Sequence, residues 1–406
     1  VKWYRAYFPF RVASAATIPL IPLYVGRLGG GLAEAGLAVA IFNAAATTAS
    51  LVFGRLSSLK VLRSYVLGGF LGFTLASMLF YFASSVVHVF IASAIAGFAT
   101  AVCALAAVLF IAETRDGSSW GKEIGVFNRI SDFGWLSGLV IGALWSYLSE
   151  GRELCIVSAA LAGISFTYAF TILKWQPAGC AGMKQKDAST RGNGRSNGLT
   201  VLYVASTFLM FLSTSLAYSL LPSFIVRMGG ADMEVFIAYV SSTTISVLTY
   251  PRVESISKGD HVHVQSLASA GRALITVTLA LTALLLRGIT GILLVAATML
   301  LSGFTWAILN VAGPAAAMKL HEKKGKIMGI YNASIFLSSI AGSALSGIIA
   351  ENLGYPTLFL TAAMLTSASI PLLEKVRQKS KTITHAATDK DHIITTTLIK
   401  HKHTYH

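Results

Sequence analysis

The sequence predicts an all-α membrane protein, with twelve transmembrane helices in two six-helix bundles that repeat each other in parallel. Three observations predict this. Of the 406 residues, 54% are apolar and only 12% charged, about half the charge of an ordinary soluble domain. Apolar runs long enough to cross a bilayer recur twelve times, six before a polar stretch and six after it. Motifs in the first six runs return at the same rank in the second six. A mean hydropathy of +0.68 leaves too little charge to wet a globule. A soluble enzyme, a nucleic-acid binder and a secreted disulfide scaffold are thereby excluded. The three cysteines (Cys103, Cys155, Cys180) have neither paired nor metal-ligand spacing.

A bilayer-crossing helix needs about 20 apolar residues. Such runs lie at 6–27, 33–54, 64–84, 87–112, 123–148 and 153–173, then at 200–227, 233–250, 271–287, 289–318, 326–350 and 356–373. Helices are required because lipid offers the backbone no hydrogen bonds; a barrel would show short alternating segments. The first run lacks an A-x-A-like end and reads as a span, not a cleaved leader. With the N-terminus inside, 28 of the 32 Lys and Arg fall on inner segments. Only Arg27, Arg152, Arg227 and Arg287 lie outside. This bias explains the net charge of +15 without nucleic acid and places both termini in the cytoplasm of a multi-pass cell-membrane protein. The bundles are expected at 1–173 and 199–374. Residues 174–198, rich in Gly and Lys, read as a cytoplasmic linker. Residues 375–406 read as a disordered basic tail, whose five histidines (His385, His392, His401, His403, His406) are too irregularly spaced for a metal site.

The repeat is explicit. Pro22-Leu-Tyr-Val-Gly-Arg-Leu-Gly-Gly30 returns as Pro222-Ser-Phe-Ile-Val-Arg-Met-Gly-Gly230, 200 residues on. Gly121-Lys-Glu-Ile-Gly-Val-Phe-Asn128 returns as Gly325-Lys-Ile-Met-Gly-Ile-Tyr-Asn332, 204 residues on. An even number of spans per half makes the halves parallel repeats, with a solute site near the midplane between them.

On these motifs the chain resembles the major facilitator superfamily over about residues 5–374. Leu20-Ile-Pro-Leu-Tyr24 and the ladder Gly134, Gly138, Gly142 resemble the family's drug:proton antiporter and efflux branch. There are departures. The family's second-to-third-span loop motif keeps only Gly54 and Arg63, with Ser58 at its acidic and Leu59 at its basic position. Ser93 stands where antiporters carry an arginine. Glu113 is expected to pair with Arg63 or Lys60 in place of the usual relay, so Gly54, Lys60, Arg63 and Glu113 form a candidate gating group.

An ionisable group inside a bilayer is a functional candidate by default. Asp132 lies about 13 Å along the fifth span; Arg129 and Asn128 neighbour it on one helical face. Asp132 and Arg129 are the candidates for proton coupling or solute contact, or else form a structural ion pair, in which Arg11 is an alternative partner. Arg11 either snorkels to the interface or faces the cavity and binds an anion. Arg272, compared with Arg63, reads as a flanking anchor. Asn43, Asn128, Asn310 and Asn332 offer amides to a solute or to neighbouring helices. Tyr24, Trp135, Tyr218 and Trp306, with Phe304, either wall an apolar pocket or pack.

No phosphate-binding loop, nucleophile or cofactor motif is present, so the chain is read as a non-enzymatic, cofactor-free secondary transporter working as a monomer. The favoured task is proton-coupled export of small amphipathic or hydrophobic compounds by alternating access. Uptake or facilitated diffusion of a small organic anion or nutrient is the alternative. A third reading is a receptor or lipid-handling protein that moves no solute.

Overall fold

Each apolar run folds as helix, because only helix satisfies its own backbone in lipid. The structure, a computed structural model, describes residues 2–55, 59–114, 120–148, 151–173, 197–257, 260–320 and 324–402. Side chains are described within 4–53, 63–107, 126–148, 151–173, 198–257 apart from 254, 260–320 and 327–380. The first half comprises α1 (Tyr4–Arg27), α2 (Leu32–Arg55), α3 (Leu59–Tyr81), α4 (Val86–Thr114), α5 (Trp120–Leu148) and α6 (Leu154–Ile172). The second comprises α7 (Gly198–Arg227), α8 (Asp232–Thr249), α9 (His261–Leu285), α10 (Gly288–Leu320), α11 (residues 324–353) and α12 (residues 355–402). Nine stretches of the described residues are long and apolar enough to span a membrane, one of them holding both α11 and α12. The more polar α5 and α8 complete the twelve.

The breaks have local causes. Pro19 and Pro22 remove backbone donors from α1, which passes through a 3-10 turn at Ile18–Leu20. Gly354, at φ +80°, ends α11 in a backbone region few other residues enter, and Pro356 starts α12. No Gly or Pro follows Pro371 before Lys402. The helical backbone therefore continues into the segment expected to be disordered. The linker at 174–196 lies outside the described residues, as do the side chains of Gly54, Lys60 and Glu113. Arg63 is described. Its Nη2 donates to the Phe170 carbonyl at 3.1 Å and its guanidinium lies 5.3 Å from the Phe170 ring, tying α3 to α6.

The sequence repeat is a repeat of contacts. Gly29 and Gly229 take φ +81° and +97° and close the same turn. Gly30 N–H donates to Val25 and Gly230 N–H to Ile225, at 3.0 and 3.1 Å, the signature of a Schellman cap. Glu34 then caps Gly31 N–H at 2.9 Å and Glu234 caps Ala231 N–H at 2.8 Å. Deeper in, Gly97 of α4 packs on the Phe42 carbonyl of α2, as Gly303 of α10 packs on Ser242 of α8. Gly138 meets Val12 where Gly342 meets Leu212. A Cβ at any of these four glycines would strike backbone, so helix axes approach closely there.

Within the first half, Tyr7, Phe10, Phe70, Phe73 and Phe127 make an aromatic core with ring centroids 5.0–5.3 Å apart in the closer pairs. Large apolar side chains such as Phe82, Leu144, Leu284 and Met364 remain exposed on the outside. That is the surface a bilayer covers.

The halves meet through α2 against α11 and α5 against α8. Three hydrogen-bonded contacts cross between them among the described residues. Arg27 pairs with Asp232. Ala33 N–H donates to Glu351 at 2.6 Å, and Asn43 Nδ2 to Ser343 Oγ at 3.0 Å. Two of the three lie at the ends of helices on the face away from the chain termini, here the distal face. The third is near mid-span. The two halves are thus tied together at the distal face in this conformation.

Candidate functional site

Arg11 does not run out to the interface. Half-buried, it turns against α5, with Nε donating to the Ser131 carbonyl at 3.4 Å and Cζ 4.7 Å from the Trp135 ring centroid. The cause is local. Gly134 lies against Arg11 Cβ and the Phe8 carbonyl, which draws α1 and α5 together. Asp132, also half-buried, interacts electrostatically with Arg11. Across the inter-half cleft it acts on Tyr250, at the end of α8. Arg129 and Asn128 are exposed, and among the described residues Arg129 makes no ion pair with Asp132. Asp132 therefore interacts with Arg11 electrostatically, without a direct salt bridge among the described residues.

Arg272 requires a correction. It is not a flanking anchor: α9 begins at His261, so Arg272 lies about 16 Å along it, and only 3% of its surface is exposed. Its Nη1 donates to Thr214 Oγ1 at 3.2 Å. Its guanidinium lies 5.2 Å from the Tyr218 ring and 5.4 Å from that of Trp306. No carboxylate pairs with it among the described residues. Its Nε and the Tyr218 hydroxyl are both buried without a hydrogen-bond partner there. A buried cation without a counter-charge is costly, and an unmade hydrogen bond adds to the cost. An anion arriving between α7, α9 and α10 would relieve both.

Tyr250, at the end of α8, lies within electrostatic reach of Asp132 and near Trp306. Each guanidinium lies over an indole, a favourable cation–π geometry.

The remaining candidates divide. Asn43 bonds across the halves within a hydroxyl cluster of Ser215, Ser219 and Ser343. Asn310 is exposed and donates to the Trp306 carbonyl of its own helix at 2.9 Å. Asn332 and Phe304 are exposed. Tyr24 is buried at the distal end, its hydroxyl donating to the Gly151 carbonyl at 3.3 Å and lying 2.9 Å from Cys155 Sγ. Trp135, Tyr218 and Trp306 alone of the aromatic candidates join the arginine pair. The distal ties of Arg27, Asp232 and Glu351 were not foreseen. The available signal was a broken repeat, since Arg27 and Arg227 match while Asp232 has Leu32 opposite it.

A family model described as Major Facilitator Superfamily matches residues 6–258 and 266–403. Among solved structures, a mutant of the nucleoside transporter NupG is 13% identical with a TM-score of 0.71, covering 92% of this chain and 98% of its own. A POT family transporter in complex with a thioalcohol-conjugated peptide is 12% identical with a TM-score of 0.69, covering 94% and 96%. A bacterial homologue of the iron transporter ferroportin, in an inward-facing state, is 13% identical with a TM-score of 0.66, covering 92% and 97%. At such identities the likeness concerns the fold alone. No curated protein matches the sequence.

Proposed function

We propose, for a chain that belongs to the Major Facilitator Superfamily, that the solute is a small organic anion with a flat apolar body. Membership makes the protein a membrane transporter. The named solutes of its structural neighbours differ widely, so the solute is argued from the site.

The observation that carries the reading is Arg272, buried and without a carboxylate partner among the described residues. A solute carboxylate supplies the missing counter-charge, while Trp306 and Tyr218 offer faces to an apolar ring. Asp132 makes the opposite contribution: once protonated it no longer attracts Arg11, which leaves a second cation for the solute. Proton uptake at Asp132 and anion binding at Arg11 then favour each other, which couples the two by alternating access. Export of small amphipathic or hydrophobic compounds, which the efflux-like motifs favour, has less support, because a solute without an anionic group leaves Arg272 without a counter-charge.

Benzoate binding, read by tryptophan fluorescence of the purified protein, tests this. Loss of one charge-assisted hydrogen bond is worth about 1.5–3 kcal/mol. Arg272→Gln should therefore weaken binding by about 10- to 150-fold, with Arg272→Lys intermediate because the ammonium keeps the charge and loses the planar fork. Equal affinity in the Gln variant overturns the reading.

A further inference from the structure

A cavity lies away from the central arginines, among the distal ends of α1, α3, α5, α7 and α8. Its volume is about 800 Å³, and Tyr24, Arg27, Phe80, Tyr147, Arg152 and Asp232 line it. Both halves contribute, so its shape depends on the distal face being closed. The volume falls in the range of about 300–1,000 Å³ usual for small-molecule sites.

Its charges are unequal. Arg27 and Arg152 face a single carboxylate, Asp232, which leaves one surplus positive charge on the lining. Arg152 is held in place, its Nε donating to the Tyr81 carbonyl at 2.8 Å and its guanidinium 5.5 Å from the Tyr81 ring. Arg27 keeps 38% of its side-chain surface exposed while paired with Asp232, whose side chain is only 10% exposed. An arriving carboxylate can therefore reach the guanidinium from the open side. Asp232 is the first residue of α8, and the positive end of the helix dipole stabilises its charge when Arg27 leaves. Tyr24 and Phe80, with ring centroids 5.3 Å apart, supply an apolar wall.

We propose that this cavity is a loading site for an organic anion, whose carboxylate displaces Asp232 from Arg27 and so loosens the tie that holds the distal face shut. The proposal rests on the anionic solute argued for the central site and adds where that solute is first held and what its arrival does. Cations and neutral amphiphiles, lacking the carboxylate, leave the Arg27–Asp232 pair in place.

Hydrogen exchange of the full-length protein in liposomes, with and without benzoate, tests it over residues 28–35 and 229–235. In the parent protein benzoate should raise exchange there by up to about fivefold, the worth of a partly exposed ion pair and the lower end of ordinary coupling between sites. Arg272→Gln should keep this response while losing transport. Arg152→Gln should lose the response at unchanged basal exchange, and Arg152→Lys should regain part of it. Arg27→Gln should exchange fast without benzoate and ignore its addition. No response in the parent, or a full response in Arg152→Gln, overturns the proposal. So does a response that disappears in Arg272→Gln, since opening would then start at the central site. Normal transport by Arg272→Gln would instead overturn the central site, a separate outcome.

Discussion

Replacing Gly36 by alanine probes whether the α2–α11 seam belongs to one conformation or to the whole fold. A Cβ on Gly36 would lie 2.7 Å from both Gly347 N and the Ser343 carbonyl oxygen, and 2.8 Å from Gly347 Cα. On the facing helix, a Cβ on Gly347 would lie 2.5 Å from the Leu32 carbonyl and 2.7 Å from Ala33 Cα. All of these are backbone atoms, which cannot turn aside as a side chain does. Overpacking of this kind costs about 1–3 kcal/mol. The contacts cross between halves, so the cost falls only on the conformation closed at the distal face. Each substitution should therefore shift the equilibrium toward distal opening by about 5- to 150-fold. Gly97→Ala and Gly303→Ala are the controls, because their new atoms would strike Phe42 and Ser242 within a single half, in every conformation. Hydrogen exchange over residues 28–35, with thermal melting alongside, reads both effects. Gly36→Ala should quicken distal exchange, whereas the controls should lower Tm and leave distal exchange unchanged. If Gly36→Ala behaves like Gly97→Ala, the reasoning is refuted.

Other outcomes follow from the same geometry. Asp132→Asn should abolish accumulation driven by a proton gradient while leaving solute counterflow intact; retained gradient-driven uptake removes Asp132 from the coupling. Exchanging the charges of the distal pair one at a time should quicken distal opening, and the double exchange, Arg27→Asp with Asp232→Arg, should restore closure. The pair is partly exposed, so the effect should be about 1 kcal/mol at most. Tyr203→Phe removes a buried hydroxyl that lies 2.6 Å from the Gly313 carbonyl and 2.9 Å from Gln265 Oε1, either of which can accept its one proton. It should cost about 1–3 kcal/mol, seen as a lower melting temperature with solute binding unchanged.

The helices were legible because lipid imposes one rule on every span, and twenty apolar residues in a row state it without reference to any neighbour. The two glycine turns at Gly29 and Gly229 were legible as a repeated string, since the caps they close are local. Asp132 and Arg11 could be found as charges in apolar runs, yet whether Arg11 or Arg129 acts on Asp132 could not be decided. Arg129 is nearer to Asp132 in sequence, and only the packing of α1 on α5 at Gly134 brings Arg11 in.

Arg272 was misread for a related reason. The polar residues from His261 to Gln265 hid the true start of α9, which is set by Asp260 capping His263 N–H and by burial against neighbouring helices. Sequence by itself determined the class of fold, the count of spans and the internal repeat, each of which follows from local chemistry or from composition. Tertiary structure decided which charges meet, which one is left without a partner and which face is shut. Those depend on side chains hundreds of positions apart arriving within hydrogen-bond distance, and no periodicity in a chain encodes that directly.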